Sequence, residues 1–191
     1  MNTMSFQQFD LVSNAFSFAI AVMGAATVFL FLGRSQVAAP YKTAVTLSGI
    51  VTLIAFYHYW RIFDSWQGAY MVTADGVQAT LAKFNDGYRY VDWLLTVPLL
   101  LVELILVMRL SKEDTFKQSV VLASLAALMV ILGYPGEISQ DAGTRWFWWV
   151  CSMIPFSIIL FKLVVGLANS IEKQPASVRT LVSNARYLVI V

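Results

Sequence analysis

The sequence predicts an all-α membrane protein, and two observations carry that prediction. Of 191 residues, 59% are hydrophobic and 13% are charged. The apolar residues fall in long runs parted by short polar stretches, as in a chain that crosses a bilayer several times. A hydrocarbon core about 30 Å thick needs about 20 mostly apolar residues as helix. Five segments meet that length, at residues 11–33, 43–63, 88–110, 116–134 and 146–168.

The connections between these spans set an expected topology. Arg34 and Lys42 lie between the first and second spans, and Arg109, Lys112 and Lys117 between the third and fourth. Lys173 and Arg179 follow the fifth. Asp64, Asp75 and Asp86 instead mark the second-to-third connection, and Glu137 and Asp141 the fourth-to-fifth. Basic loops stay on the cytoplasmic side, so the N-terminus is expected outside. The connection from Asp64 to Gly87 contains Ala74-Asp75-Gly76, a turn signal flanked by β-compatible stretches such as Ala69-Tyr70-Met71-Val72, and predicts a small hairpin. Gly133-Tyr134-Pro135-Gly136 is expected to end the fourth span. A sixth span is expected from about Ser177. Only Tyr187-Leu188-Val189-Ile190-Val191 follow Arg186, too few to span, so the record is expected to be part of a longer single-domain protein, of which residues 1–191 are one stretch.

Other classes are excluded or left bare. Cys151 has no partner, so no disulfide framework exists, and it reads as a small apolar filler. The N-terminal MNTMSFQQF lacks the basic start of a cleavable signal. A dispersed net charge of +2 gives no footprint for nucleic acid.

The third span carries the chemistry. Its run RYVDWLLTVPLLLVE places Asp92 and Glu103 in hydrocarbon, where charge is expensive and marks a functional position by default. Eleven residues is close to a whole number of helical turns, so both carboxylates share one face, about 16 Å apart along the axis. Thr96 lies one turn further in, and Arg89 one turn further out. The stripe Arg, Asp, Thr, Glu reads as a relay for a proton or cation, and Pro98 removes a backbone hydrogen bond within it. A plainer reading makes Arg89 and Asp92 a structural ion pair and lets Glu103 snorkel. His58, in AFYHYWRIF of the second span, sits at a depth comparable to Asp92 and is read either as a satisfied core residue or as its partner.

Taken with FNDGYRYVDW, AFYHYWRIF, GYPGEIS and QPASVRTLV, this motif resembles the microbial rhodopsins of the proteorhodopsin and xanthorhodopsin group. The resemblance covers essentially the whole chain. It implies a bundle of seven transmembrane helices around retinal, bound as a protonated Schiff base to a lysine of the seventh, of which this chain carries five helices and the start of the sixth. It further implies that Asp92 is counterion and proton acceptor, Thr96 its neighbouring hydroxyl, Glu103 the proton donor, His58 the partner of the acceptor and Arg89 the arginine on the exit side. Trp93, Leu100, Met129, Gly133, Trp148, Ser152 and Phe156 match positions that line retinal, and leucine at position 100 goes with green absorption. Trp149 stands where a carotenoid antenna needs a glycine window, so no antenna is expected. Lys162, in the inner part of the fifth span where it can snorkel, is no match for the attachment lysine.

The implied function is a light-driven outward proton pump, an ion transporter and not an enzyme, acting as a homo-oligomer in a bacterial plasma membrane. The alternative is a sensory photoreceptor signalling to a partner protein, against which Glu103 argues, because sensory relatives usually lack a carboxylate there. Chloride pumps lack the acidic acceptor, and sodium pumps of the superfamily carry Asn, Asp and Gln where this chain has Asp92, Thr96 and Glu103. A solute transporter without chromophore would account for the carboxylates but not for the whole motif.

Overall fold

A computed structural model describes residues 4–74, 76–166, 179, 180 and 184. Five helices long and apolar enough to cross a membrane occur among them: α1 (Phe6–Gly33), α2 (Lys42–Ala69), α3 (Gly87–Val107), α4 (Lys112–Ile138) and α5 (Ala142–Phe161), the last prolonged by a π-helical turn over Lys162–Gly166. Each packs against its neighbours in sequence, as short connections between antiparallel helices dictate. Their ends overrun the apolar runs because the caps are polar. Ser5 and Gln8 form a reciprocal capping box on α1, Ser111 accepts from the Asp114 amide on α4, and Asp141 accepts from the Thr144 amide on α5. That bond holds the exposed Asp141 carboxyl below its usual range.

The hairpin forms where it was expected. Strand β1 (Tyr70–Thr73) pairs antiparallel with β2 (Gly76–Ala79), Tyr70 opposite Ala79 and Thr73 opposite Gly76. Gly76 has φ +123°, open only to glycine, which is why the turn falls there. Met4 adds a bridge to Val77, and Trp66 closes this end of the bundle, stacked on Phe9 with its indole N–H donating to Ser13. Asp75 of the turn, Lys173, most of QPASVRTLV and the expected sixth span lie outside the described residues.

Two expectations need correction. Gly133-Tyr134-Pro135-Gly136 does not end the fourth helix, which continues to Ile138 with Pro135 inside it. The glycine serves close packing rather than a turn: a Cβ at Gly136 would lie 3.1 Å from the Trp148 Cβ and 3.4 Å from the Arg145 carbonyl oxygen, so α5 approaches α4 here almost backbone to backbone. Helix α3 in turn stops at Val107, short of residue 110, because Arg109 takes a left-handed φ of 53°.

The packed core sits at the end away from the hairpin, where Leu101, Leu104, Ile105 and Met108 of α3 meet Leu122 and Ala126 of α4 and Ile159 and Leu163 of the fifth helix and its extension. Elsewhere large apolar side chains face outward: Leu11, Phe18, Phe29 and Leu32 of α1 are each 70% exposed or more. Such a surface suits lipid and would be ruinous in water.

Candidate functional site

Helices α2 and α3 run antiparallel, and three side-chain contacts index their register. Nearest the hairpin, the Arg61 guanidinium donates to the Tyr88 hydroxyl at 2.7 Å. In the middle, His58 Nδ1 lies 3.7 Å from Asp92 Oδ1. Toward the opposite end, the Ser48 hydroxyl donates to Glu103 Oε1 at 2.6 Å. The predicted stripe on α3 therefore meets a polar stripe on α2.

Asp92, Thr96 and His58 are all buried, at 5%, 5% and 7% exposure. The His58 Nδ1 proton goes to the Ile54 carbonyl at 2.9 Å, which leaves Asp92 beside the ring but beyond hydrogen-bond reach. Thr96 donates to the Asp92 backbone carbonyl at 2.8 Å and not to its carboxylate. Asp92 Oδ1 consequently has no hydrogen-bond partner among the described residues. A buried carboxylate oxygen without a donor is costly, and it marks a place where a donor belongs.

Arg89 does not pair with Asp92. Its guanidinium lies 2.8 Å from Asp86 Oδ1 and 3.3 Å from Glu137 Oε1, which tie the start of α3 to the end of α4. The ion-pair reading of Arg89 and Asp92 is replaced by this three-membered cluster on the hairpin side of Asp92. Glu103, half-buried, has Ser48 as partner, and the same Ser48 oxygen lies 3.2 Å from the Ala44 carbonyl.

The proposed lining residues separate into two groups. Met129, Gly133 and Ser152 come together, since Ser152 donates to the Met129 carbonyl at 2.9 Å and a Cβ on Gly133 would stand 3.6 Å from both Ser152 Oγ and the Tyr90 ring. Gly133 and Ser152 border a cavity of about 620 Å³ whose walls include Tyr90, Gly136, Trp146 and Trp149, a size suited to a small-molecule or cofactor site. Trp93 and Leu100, 41% and 45% exposed, offer apolar surface on the α3 face next to that of Asp92 and Thr96. Trp148 and Phe156 of α5 are half-buried.

The residues missed from sequence are Ser48, Tyr90, Asp86 and Glu137. Ser48 was within reach, because it precedes His58 by ten residues, nearly the spacing of Asp92 and Glu103 on the antiparallel neighbour. The role of Glu137 depends on the fourth helix continuing through Pro135, which a Pro-Gly pair conceals.

The family model of bacteriorhodopsin-like proteins matches residues 10–191. The chain belongs to that family. A green-light absorbing proteorhodopsin of Gamma-proteobacterium EBAC31A08 is 31% identical over 185 residues, covering 95% of this chain and 68% of the relative. A blue-light absorbing proteorhodopsin of Gamma-proteobacterium Hot 75m4 is 32% identical over 184 residues, covering 95% and 67%. Among solved structures, xanthorhodopsin, described as a light-driven ion pump with dual chromophore, superposes with a TM-score of 0.95 at 47% identity, over 100% of this chain and 77% of that one. A thermophilic rhodopsin gives 0.94 at 45% identity, over 98% and 76%. The fold is thus that of a microbial type 1 rhodopsin, a membrane protein of an ion-pump family.

Such a family implies retinal, and the residues present fit it. The unpartnered Asp92 oxygen is an acceptor for a cationic N–H, and the cavity bordered by Gly133, Ser152, Trp146 and Trp149 is mostly apolar, with Glu137 and Arg145 as its charged members. Among the described residues no lysine lies mid-span: Lys42, Lys112, Lys117 and Lys162 lie at the end away from the hairpin and Lys83 in the loop beside it.

Proposed function

We propose that this protein is a light-driven pump that carries protons outward across a bacterial plasma membrane, with the hairpin end outside. The observation that carries the proposal is the placement of two carboxylates on one face of α3, Asp92 buried toward the hairpin and Glu103 hydrogen-bonded to Ser48 toward the opposite end. Bound as a protonated Schiff base, retinal supplies a nitrogen whose proton affinity and surroundings change on light-driven isomerisation.

The protein's own groups give the direction. Asp92 balances the positive charge in the dark and takes a proton on the outer side, which the lack of a donor to its Oδ1 among the described residues favours. Glu103 holds a proton on the inner side. The Ser48 hydroxyl donates to Glu103 Oε1, so the inner carboxyl has a donor ready for the charge it carries once its proton has moved on. A signalling photoreceptor has no use for such a group, which is why the pump reading is preferred. Arg89, held by Asp86 and Glu137, stands on the exit side of Asp92 in a cluster of one guanidinium and two carboxylates.

The test is light-driven acidification of the medium by cells that make the retinal-loaded protein. Acidification abolished by a protonophore and absent in Asp92→Asn supports the pump. A bleaching and recovering pigment that moves no protons in steady light supports the sensor.

A further inference from the structure

A second apolar hollow lies on the lipid-facing side of the bundle. It is a groove of about 390 Å³ between α3 and α4 at the hairpin end, with Tyr88, Tyr90, Val91, Leu94, Ile131 and Tyr134 among its walls. Tyr90 is the partition between it and the larger cavity. Val91 and Leu95, at its side of α3, are 47% and 45% exposed, whereas Asp92 and Thr96, which turn into the bundle, are 5% exposed. From Tyr88 to Leu94 the groove descends about 9 Å along the helix. Its volume admits roughly 13 groups the size of a water molecule at about 30 Å³ each, and a methylene is of similar size. One hydrocarbon chain fits.

The mouth of the groove is charged. Arg61 on α2 is exposed, lies with its guanidinium carbon 5.1 Å over the Tyr88 ring, and donates to the Tyr88 hydroxyl. No carboxylate among the described residues comes within ion-pair distance of it, although Asp64 lies one turn further along α2. A guanidinium carries five N–H donors, and one goes to Tyr88. On a lipid-facing surface those donors cannot be left in hydrocarbon; phosphate oxygens at headgroup level take them bidentately. Trp60 and Tyr57, 57% and 56% exposed on the same helix, mark that level as the aromatic belt.

We infer that Arg61, Tyr88 and the α3–α4 groove form a binding site for one anionic phospholipid, its phosphate on Arg61 and one acyl chain in the groove. Charge selects this occupant. A second copy of the chain seated here would bury Arg61 without a counter-charge, whereas a lipid phosphate neutralises it. A zwitterionic lipid satisfies the phosphate contact but not the net charge, and a basic residue near the surface favours anionic over neutral lipid by about fivefold.

The test uses the intact protein in nanodiscs of mixed phosphatidylglycerol and phosphatidylcholine, with retained lipids counted by native mass spectrometry after partial delipidation. One phosphatidylglycerol retained per chain, at about fivefold preference, is expected. Arg61→Gln should abolish the preference while lipid is still retained, and Arg61→Lys should keep part of it. Val91→Trp, which fills the groove, should lose retention of both lipids; Ile131→Phe does the same from the α4 side if Val91→Trp does not fold. Equal preference in the wild type and Arg61→Gln overturns the proposal. So does a disulfide between Val91→Cys chains of two copies in the membrane, which would mean that a protomer covers the groove.

Discussion

Ser48→Ala removes one hydroxyl and tests how the inner carboxyl releases its proton. In the wild type the Ser48 hydroxyl donates to Glu103 Oε1 at 2.6 Å, with the Ala44 carbonyl 3.2 Å from Ser48 Oγ. The variant deprives the Glu103 carboxylate of that donor. A hydrogen bond of this kind contributes about 0.5–1.5 kcal/mol net, so its loss costs the charged carboxylate about two- to tenfold. Proton delivery from Glu103 should therefore become about two- to tenfold slower, and its reprotonation from the inner side faster by a comparable factor. Ser48→Thr, which keeps the hydroxyl, should behave as wild type. Flash photolysis with a pH-indicator dye resolves the two steps. If both slow together, or neither moves, Ser48 does not govern the Glu103 proton and its role as donor to the carboxylate is wrong.

Three further outcomes follow from the same geometry. Asp92→Asn should abolish transport and shift visible absorption to longer wavelength, because a neutral amide removes counterion and acceptor together; an unshifted spectrum would place the counterion elsewhere. Gly136→Ala should lower the melting temperature, since its Cβ meets the Trp148 Cβ at 3.1 Å and overpacking of this kind costs about 1–3 kcal/mol; unchanged melting would mean that α4 and α5 part without cost. Hydroxylated carotenoid should pass no excitation to retinal in the wild type and should do so in Trp149→Gly, as read from the excitation spectrum; an antenna band in the wild type would refute the blocking role of Trp149.

How far the site was legible from sequence depended on whether a relation lay within one helix or between two. Asp92, Thr96 and Glu103 share α3, so a period of 3.6 residues fixes their common face without any structure. The hairpin was equally local, set by a glycine that alone accepts φ +123°. Contacts between helices were harder. That Ser48 serves Glu103 follows only once the antiparallel register of α2 and α3 is known, and one contact, His58 beside Asp92, would have been enough to set it. The plainer reading that paired Arg89 with Asp92 fails because it looked along one helix only, while Glu137 arrives from α4 and Asp86 from the turn before α3. The end of α4 was misjudged for a related reason. A Pro-Gly pair commonly ends a helix in water, but here α4 runs on through Pro135 to Ile138, with Gly136 packed closely against α5.

The central claim, that a proton enters by way of Glu103 and leaves by way of Asp92, is tested most directly by the recovery kinetics of Glu103→Gln. Glutamine keeps the size of the side chain and cannot give up a proton, and about 16 Å of helix separates it from Asp92, so colour should be nearly unchanged. Recovery after a flash should be slow and should slow further as pH rises, since protons must then come from bulk solution, while the wild type should depend on pH less steeply. A Gln variant that recovers as fast as wild type across the neutral range would contradict the account and return Glu103 to a structural role.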